Sequence, residues 1–310
     1  MYSILRVERG TDVLSTLYRY LWFFFLYAFL GWCSEVCFAA VKNGRFVNRG
    51  FLNGPWCPIY GCGVCTVVFC LTPLQGNLLL LFAGSVLLTS ALELVTGFVL
   101  EKLFHQKWWD YSDMPFNIGG YICLMFSLVW GLACLLIMDV FHPLVDKLVS
   151  LIPHTVGVVL LCALSLVMLI DLAATVSTIL KLNKKLRRLD ELAGRIKSAS
   201  DDIGEALSGR TLALAEKSAE GREALEEKKA LLAEKKAAHE QEESGRRAAR
   251  ETAMQHRREA LAALKAANEE LLATYDFGQK RLLRAFPSMK STHHGEALEQ
   301  MKQRLKNLKK

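Results

Sequence analysis

The fold of this chain is decided by its long apolar stretches, one of which reads LLLLFAGSVLLTSALELVTGFVL at residues 78–100, with Glu93 as its one ionisable residue. A helix that crosses a bilayer needs about 20 mainly apolar residues. Unpartnered backbone groups are costly in lipid, and nothing in the chain alternates as a membrane strand does, so helices are expected. The sequence predicts five spans, at residues 18–41, 57–75, 78–104, 118–138 and 155–180.

Charge divides the chain near Leu180. Residues 1–180 carry a formal charge of −1 and residues 181–310 carry +8, and all nine cysteines and all six tryptophans lie in the first part. A soluble globular domain mixes apolar and charged residues throughout, so a single soluble domain is excluded. We predict an all-α membrane protein, in which a five-helix transmembrane bundle precedes a long cytoplasmic helical and coiled-coil extension. The predicted parts are an N-terminal tail (1–17), the bundle (18–180), a helical segment (181–275) and a C-terminal tail with a short amphipathic helix (276–310).

Basic residues in the connections predict the orientation of the bundle, because cytoplasmic loops are enriched in lysine and arginine. The first loop, the third loop and the segment after the last span are the basic ones, and four basic residues elsewhere argue weakly against them. We therefore expect these loops and the C-terminus in the cytoplasm and the N-terminus outside. Excess positive charge beside the membrane also favours contact with anionic lipid.

The first loop, within residues 42–63, contains five glycines and two prolines, which exclude a simple helix and favour tight turns packed at the membrane surface. Arg45, Asn48 and Arg49 are candidate contacts for a carboxylate, a phosphate, a lipid head group or a partner protein. The alternative is a basic loop whose glycines only make turns.

The third loop supplies the other candidate contacts, Trp109, Asp110 and Asn117. Its aromatic residues are also typical of an interfacial belt at a helix end. Because loops one and three are expected on the same side, Asp110 and Asp113 could pair with Arg45 or Arg49.

Three carboxylates fall inside predicted spans, namely Glu35, Glu93 and Asp171. A charge at the bilayer centre costs about 2.5–3.5 kcal/mol on insertion scales, so each should face protein or water. The functional interpretation is a polar pathway through the membrane. The alternative is a carboxylate that bonds to a neighbouring helix or stays protonated.

No chemistry of a hydrolase or a metal enzyme is predicted. The chain contains no P-loop motif and no catalytic triad pattern, and its one Cys-x-x-Cys pair, Cys62 and Cys65, has no second metal-binding pair. We expect a non-enzyme without cofactor or metal.

The basic half carries two apolar seams of heptad type, over residues 182–207 and 254–275, which predict pairing or self-association. One continuous rod and two helices folding back near Gly245 both fit the pattern. Nucleic-acid binding is not expected, because acidic residues are interleaved and few aromatic residues are present.

A resemblance to a known family rests on four short stretches: NRGFLNGP at 48–55, CPIYG at 57–61, WDYS at 109–112 and FN at 116–117. They resemble the bacterial putative ABC-transporter type IV family, the CmpB-type membrane proteins, over about residues 18–180. The LRAFP run at 283–287 is similar to the tails of some members. The resemblance implies a permease-like subunit in the bacterial cell membrane that acts with a separate ATPase. A membrane-anchored coiled-coil scaffold or sensor is the alternative function.

Overall fold

The computed structural model describes residues 11–220 and 232–307. The described residues are mainly helical and separate into two compact units, one within Met1–Lys184 and Tyr275–Lys310 and one of Lys185–Thr274. The helices are α1 (Thr11–Asn43), α2 (Pro58–Leu71), α3 (Leu78–Phe104), α4 (Leu124–Leu136), α5 (His142–Ser150), α6 (His154–Glu220), α7 (Leu232–Ala273), α8 (Phe277–Ala285) and α9 (Gly295–Asn307). Four two-residue strands complete the fold: β1 (Gln106–Lys107), β2 (Asn117–Ile118), β3 (Ile122–Cys123) and β4 (Lys290–Ser291).

Four helical stretches are long and apolar enough to cross a bilayer: Val13–Lys42, Leu78–Phe104, Leu124–Ser150 and His154–Ser208. The helical membrane architecture is therefore confirmed. The predicted second span is a shorter helix, α2, whose 14 residues extend into a 3₁₀ turn at Thr72–Leu74. At 1.5 Å per residue α2 rises about 21 Å, less than the roughly 30 Å of a hydrocarbon core. The count of five spans thus stays a prediction.

Helices α1 and α2 form the tightest helix pair of the first unit. A Cβ atom placed on Gly61 would lie 2.5 Å from the Phe24 carbonyl oxygen, and one on Gly31 would lie 2.3 Å from the Tyr60 ring. Buried aromatic side chains of α1, including Phe23, pack in the same core as the apolar face of α2. Glycine at these two positions is required because any side chain would separate the helices.

The fourth predicted span begins later than expected, at Leu124 and not at Ile118. Strands β2 and β3 form a small antiparallel hairpin before it. Gly119 and Gly120 turn this hairpin with φ of +60° and +74°, a conformation that residues with side chains rarely adopt. The span also continues past Met138 to Ser150, through a π-helical turn at Ile137–Phe141. This turn precedes Pro143, which lacks the N–H needed for a regular helical hydrogen bond.

The second unit consists of the later part of α6 and of α7, which lie antiparallel. The Lys185 ammonium donates a hydrogen bond to the Thr274 carbonyl. Leu264 lines one groove together with residues 191–202, farther along α6. Helix α7 runs unbroken through Gly245, so of the alternatives that the sequence left open, the fold-back at Gly245 is not the one observed.

The first apolar seam of this unit is shifted from the predicted one beyond Leu189. Leu186 and Leu189 are buried and Ile196 and Ile203 are half-buried, as the heptad pattern predicts. The alternate positions each lie one residue earlier than predicted, and they keep the seven-residue repeat of a heptad. Half-buried Leu192, Ala199 and Ala206 replace the predicted Ala193, Ser200 and Leu207, which are exposed.

The C-terminal segment, residues 275–307, packs within the first unit. Strand β4 pairs antiparallel with β1, matching Ser291 to Gln106 and Lys290 to Lys107. Helices α8 and α9 bury their apolar faces, with Leu282, Leu298 and Met301 fully buried. The predicted tail is therefore a folded element beside the third loop.

Candidate functional site

One end of the first unit, the loop face, is assembled from three separate parts of the chain. These are loop one (residues 44–57, between α1 and α2), loop three (residues 105–123, between α3 and α4) and the C-terminal segment. All sequence-predicted contact residues lie in the two loops, and the three predicted intramembrane carboxylates lie on helices next to them.

Asn48 shapes loop one from within. Its Oδ1 accepts hydrogen bonds from the Trp32 indole at 2.8 Å and the Gly50 amide at 3.0 Å, and its Nδ2 donates to the Asn53 carbonyl at 2.7 Å. All three hydrogen bonds of the Asn48 side-chain amide are therefore made to other residues of the protein. Asn48 therefore positions loop one, and its contact with a ligand or partner stays a prediction.

Asp171 of α6 holds the next part of loop one. Its Oδ1 accepts from the Asn53 backbone amide at 3.0 Å and the Asn53 side chain at 2.8 Å. Its Oδ2 accepts from the Gly54 amide at 2.7 Å and the Trp56 indole at 3.3 Å. Four N–H donors around one carboxylate compensate the cost of placing its charge in a partly buried site. The geometry of Asp171 is therefore that of a carboxylate bonded to neighbouring groups, which was the alternative to a polar pathway.

Glu35 of α1 makes a similar contact with loop one and with the first turn of α2. Its Oε1 accepts a hydrogen bond from the Tyr60 hydroxyl at 2.8 Å, and its Oε2 lies 3.2 Å from the Arg49 Nε. The Arg49 guanidinium also lies over the Phe38 ring, at 5.5 Å from its centroid. Arg49 is thus bound to α1 and not to loop three.

Asp110 of loop three pairs with the C-terminal segment. One oxygen accepts hydrogen bonds from the Ser112 amide and hydroxyl at 3.0 and 2.5 Å, and the other lies 2.6 Å from the Lys290 ammonium. Burial would raise the pKa of Asp110, but the hydrogen bonds from Lys290 and Ser112 outweigh it and lower the pKa to about 2. The pairing of Asp110 with Arg45 or Arg49 that the sequence left open is not formed, since Lys290 takes that place.

Trp109 and Asn117 fix the fold of loop three. The Trp109 indole donates to the Tyr121 carbonyl at 2.8 Å. The Asn117 side chain donates to the Met114 carbonyl at 2.7 Å and accepts from the Gly120 amide at 3.2 Å. Both residues make these polar contacts inside loop three.

Glu93 of α3 contacts loop three from the membrane side. Its Oε1 accepts a hydrogen bond from the Tyr111 hydroxyl at 3.3 Å, while its Oε2 is buried without a hydrogen-bond partner among the described residues. Burial is the main cause that raises the pKa of Tyr111, and the nearby Glu93 carboxylate raises it further. The Tyr111 hydroxyl therefore keeps its proton and donates it to the hydrogen bond. The Tyr111 ring stacks on Phe126, with centroids 4.9 Å apart.

Arg281 of α8 binds loop one and was not predicted as a site residue from the sequence. Its Nη1 donates to the carbonyls of Gly50 and Leu52 at 2.8 and 2.9 Å, and its Nη2 donates to the Phe51 carbonyl at 3.0 Å. Burial lowers the pKa of Arg281, and the negative charge of Asp171 opposes this shift. Loop one therefore turns three carbonyls to Arg281 and two amides to Asp171. The only sequence signal near Arg281 was the LRAFP run that follows it.

An aromatic cluster joins all three parts of the loop face. Trp108 of loop three is buried and packs edge-on against Phe51 of loop one at 5.1 Å and against Phe286 of the C-terminal segment at 5.0 Å between centroids. Aromatic pairs at these distances add about 0.5–1.5 kcal/mol each to their burial. The cluster explains why the two loops and the C-terminal segment share one unit.

Replacing Lys290 by methionine tests the ion pair with Asp110. Because the folded-state pKa of Asp110 is lowered to about 2 from 3.8, the stabilisation is present above about pH 4 and is lost as the pH falls towards 2. We expect a melting temperature about 1–3 °C lower than wild type at pH 7 and equal to it near pH 2. Thermal unfolding by tryptophan fluorescence across this pH range measures it. Replacing the exposed Lys306 by methionine is the matched control, and a Lys290 effect independent of pH would contradict the assignment.

The comparison with known proteins gives a family. The family model described as "Putative ABC-transporter type IV", of CmpB type, matches residues 22–176, half of the chain. The chain belongs to this family. No curated protein and no solved structure matches it. The family and the apolar helices make it a membrane protein of a transporter-type family.

The matched part of this type IV family member contains both loops, Asp171 and Glu35 but ends before the C-terminal segment. Arg281 and Lys290, which bind the two loops, therefore lie outside the region that the family model covers. In this member the loop face is completed by a part of the chain beyond the matched region.

Proposed function

We propose that the protein is the permease-like membrane subunit of an ABC-type transporter and acts with a separate ATPase. Membership of the putative ABC-transporter type IV family supports this, together with helices that are long enough to cross a bilayer. The chain itself contains no P-loop, so ATP hydrolysis requires another polypeptide. In this proposal the loop face is cytoplasmic, as the basic loops predict, and the N-terminus is outside.

The main observation in support of the proposal is that the loop face holds its two loops in fixed positions and leaves one basic and one aromatic side chain exposed. Five of the six predicted contact residues are engaged inside the protein, which holds both loops in fixed positions. The sixth, Arg45, is exposed and forms no hydrogen bond or ion pair with residues of the described ranges. Phe46 beside it is 68% exposed. A fixed loop with an outward arginine and phenylalanine has the composition of a protein-interaction hot spot.

Affinity purification from native membranes tests this surface. We expect the wild-type chain to co-purify with a nucleotide-hydrolysing protein, and Arg45→Glu combined with Phe46→Ser to reduce the recovered ATPase at least tenfold. Lys147→Glu makes the same charge change as Arg45→Glu in the last turn of α5 and should leave the recovery unchanged. If the wild-type chain recovers no nucleotide-hydrolysing partner under any solubilisation that keeps it folded, the proposal fails.

A polar pathway through Glu35, Glu93 and Asp171 stays a prediction. Each of the three carboxylates contacts a loop residue and not another carboxylate. Glu93 is the one that retains an oxygen without a described partner, so it is the strongest candidate for a transported or coupling ion. Glu93→Gln should abolish transport while leaving protein level and melting temperature unchanged.

The second candidate function is a membrane-anchored scaffold or sensor whose output is the antiparallel pair of α6 and α7. It is favoured by the separation of Lys185–Thr274 as a compact unit of its own. Deleting residues 185–310 would also remove Arg281 and Lys290 and so disturb the loop face. The contact between Lys185 and the Thr274 carbonyl shows that the two ends of the unit are adjacent. A short glycine–serine linker can therefore replace the unit alone.

Replacing residues 186–273 by such a linker separates the two functions. A transporter subunit should keep its ATPase partner and most of its activity, because the loops and the C-terminal segment are retained. A scaffold should lose its phenotype completely while the remaining chain stays folded. Melting temperature and membrane level of the shortened chain are the controls.

A further inference from the structure

Helix α6 carries a shallow, open groove on one face, which is lined by residues of α6 and changes from apolar to basic along the helix. The groove begins at Leu169, continues past Ala173 and Leu180, and ends at Lys181 and Lys184. Leu169 and Leu180 are 63% and 55% exposed. From these observations we infer that the groove is a binding site for one anionic phospholipid, with an acyl chain along the apolar part and the phosphate at the two lysines.

The dimensions of the groove match half of a bilayer. At 1.5 Å per residue, the stretch from Leu169 to Leu180 rises about 16 Å, close to the roughly 15 Å of one leaflet of a 30 Å hydrocarbon core. Lys181 and Lys184 are one turn apart on the same helix face, directly after the apolar part. They therefore lie at the depth where an acyl chain in the groove places its head group.

The charge of the groove selects the lipid. No acidic residue lines it, and neither Lys181 nor Lys184 forms an ion pair with the residues that the structure describes. Two adjacent ammonium groups attract a phosphate, and each lysine near an anionic membrane surface contributes about a fivefold gain in binding. The two lysines together favour an anionic over a zwitterionic lipid by about 25-fold.

A second copy of this chain fits the same face poorly. In a membrane, two copies related by a two-fold axis along the bilayer normal place equal depths of the same helix opposite each other. Lys181 and Lys184 of one copy would then face those of the other, and four ammonium groups would repel at the membrane edge. The groove thus favours a lipid over a dimer contact.

The site is independent of whether the protein transports anything. The opposite side of the same helix segment holds loop one, through Asp171 and Thr175. A lipid in the groove would therefore bind to the helix that positions loop one, without touching the loop.

Native mass spectrometry of the full-length protein with added lipid tests the inference. The probes are phosphatidylglycerol, phosphatidylcholine and soluble glycerol phosphate. We expect phosphatidylglycerol to bind about 25-fold more tightly than phosphatidylcholine, and the double variant K181Q/K184Q to lose this preference. The matched control is R187Q/R188Q, which removes the same charge from two exposed arginines outside the groove and should keep the preference.

Four results would overturn the inference. The first is equal binding of the two lipids to the wild type, and the second is an equal loss of preference in R187Q/R188Q, which would indicate unspecific attraction to basic charge. The third is complete displacement of phosphatidylglycerol by glycerol phosphate, which would indicate a phosphate site without an acyl chain. Ala173→Trp fills the groove without changing charge and should reduce the binding of both lipids, and unchanged binding in this variant would also contradict the inference.

Discussion

Replacing Asp171 by alanine is expected to destabilise the first unit strongly. The substitution leaves the amides of Asn53 and Gly54 and the indole of Trp56 without the acceptor that binds them. Several unsatisfied donors in a partly buried site cost about 3 kcal/mol together. We expect a fall in melting temperature of about 6–12 °C, measured by tryptophan fluorescence in detergent.

Two control variants distinguish the loss of the Asp171 hydrogen bonds from the general effect of removing a carboxylate. Asp139→Ala removes an exposed carboxylate from another span and should change the melting temperature by less than about 2 °C. Asp171→Asn keeps one acceptor oxygen and should lie between alanine and wild type. If Asp171→Ala unfolds at the wild-type temperature, the carboxylate does not hold loop one.

Replacing Arg281 by alanine is expected to free loop one from the C-terminal segment. Three charge-assisted hydrogen bonds to the carbonyls of Gly50, Phe51 and Leu52 are lost. The expected loss of stability is about 2–4 kcal/mol, together with cleavage of loop one by a protease that spares the wild type. Arg281→Lys keeps the charge but not the planar fork, and should recover less than half of the loss.

Arg284→Ala is the matched control, because Arg284 is exposed and lies one turn after Arg281 on α8. A further check is the double variant of Asp171 and Arg281. Both residues fix the same turn of loop one, so their effects should be less than additive, with a coupling of about 1 kcal/mol or more. Full additivity would mean that the two residues stabilise separate features.

The features that the sequence could predict are those that depend on local composition. Apolar length predicted the helical membrane part, and the glycines of loop one predicted a non-helical connection. The family was recognised from short stretches that lie within the matched residues 22–176.

The features that the sequence could not predict depend on partners far apart in the chain. Asp110 pairs with Lys290, 180 positions away, where the nearer Arg45 and Arg49 seemed available. Arg281 binds carbonyl groups, which every residue carries, so no sequence pattern marks its partners. The start of the fourth span was misplaced for a local reason, since Gly119 and Gly120 form a turn inside an apolar run.

The contact of Arg281 with loop one has a consequence for how the protein is made. Gly50 and Arg281 are 231 positions apart, and a ribosome delivers them in that order. Loop one is therefore synthesised long before the guanidinium that binds its carbonyls. Until α8 has been made, the carbonyls of Gly50, Phe51 and Leu52 lack this donor, so the final fold of loop one depends on a segment that follows all of α6 and α7 in the chain.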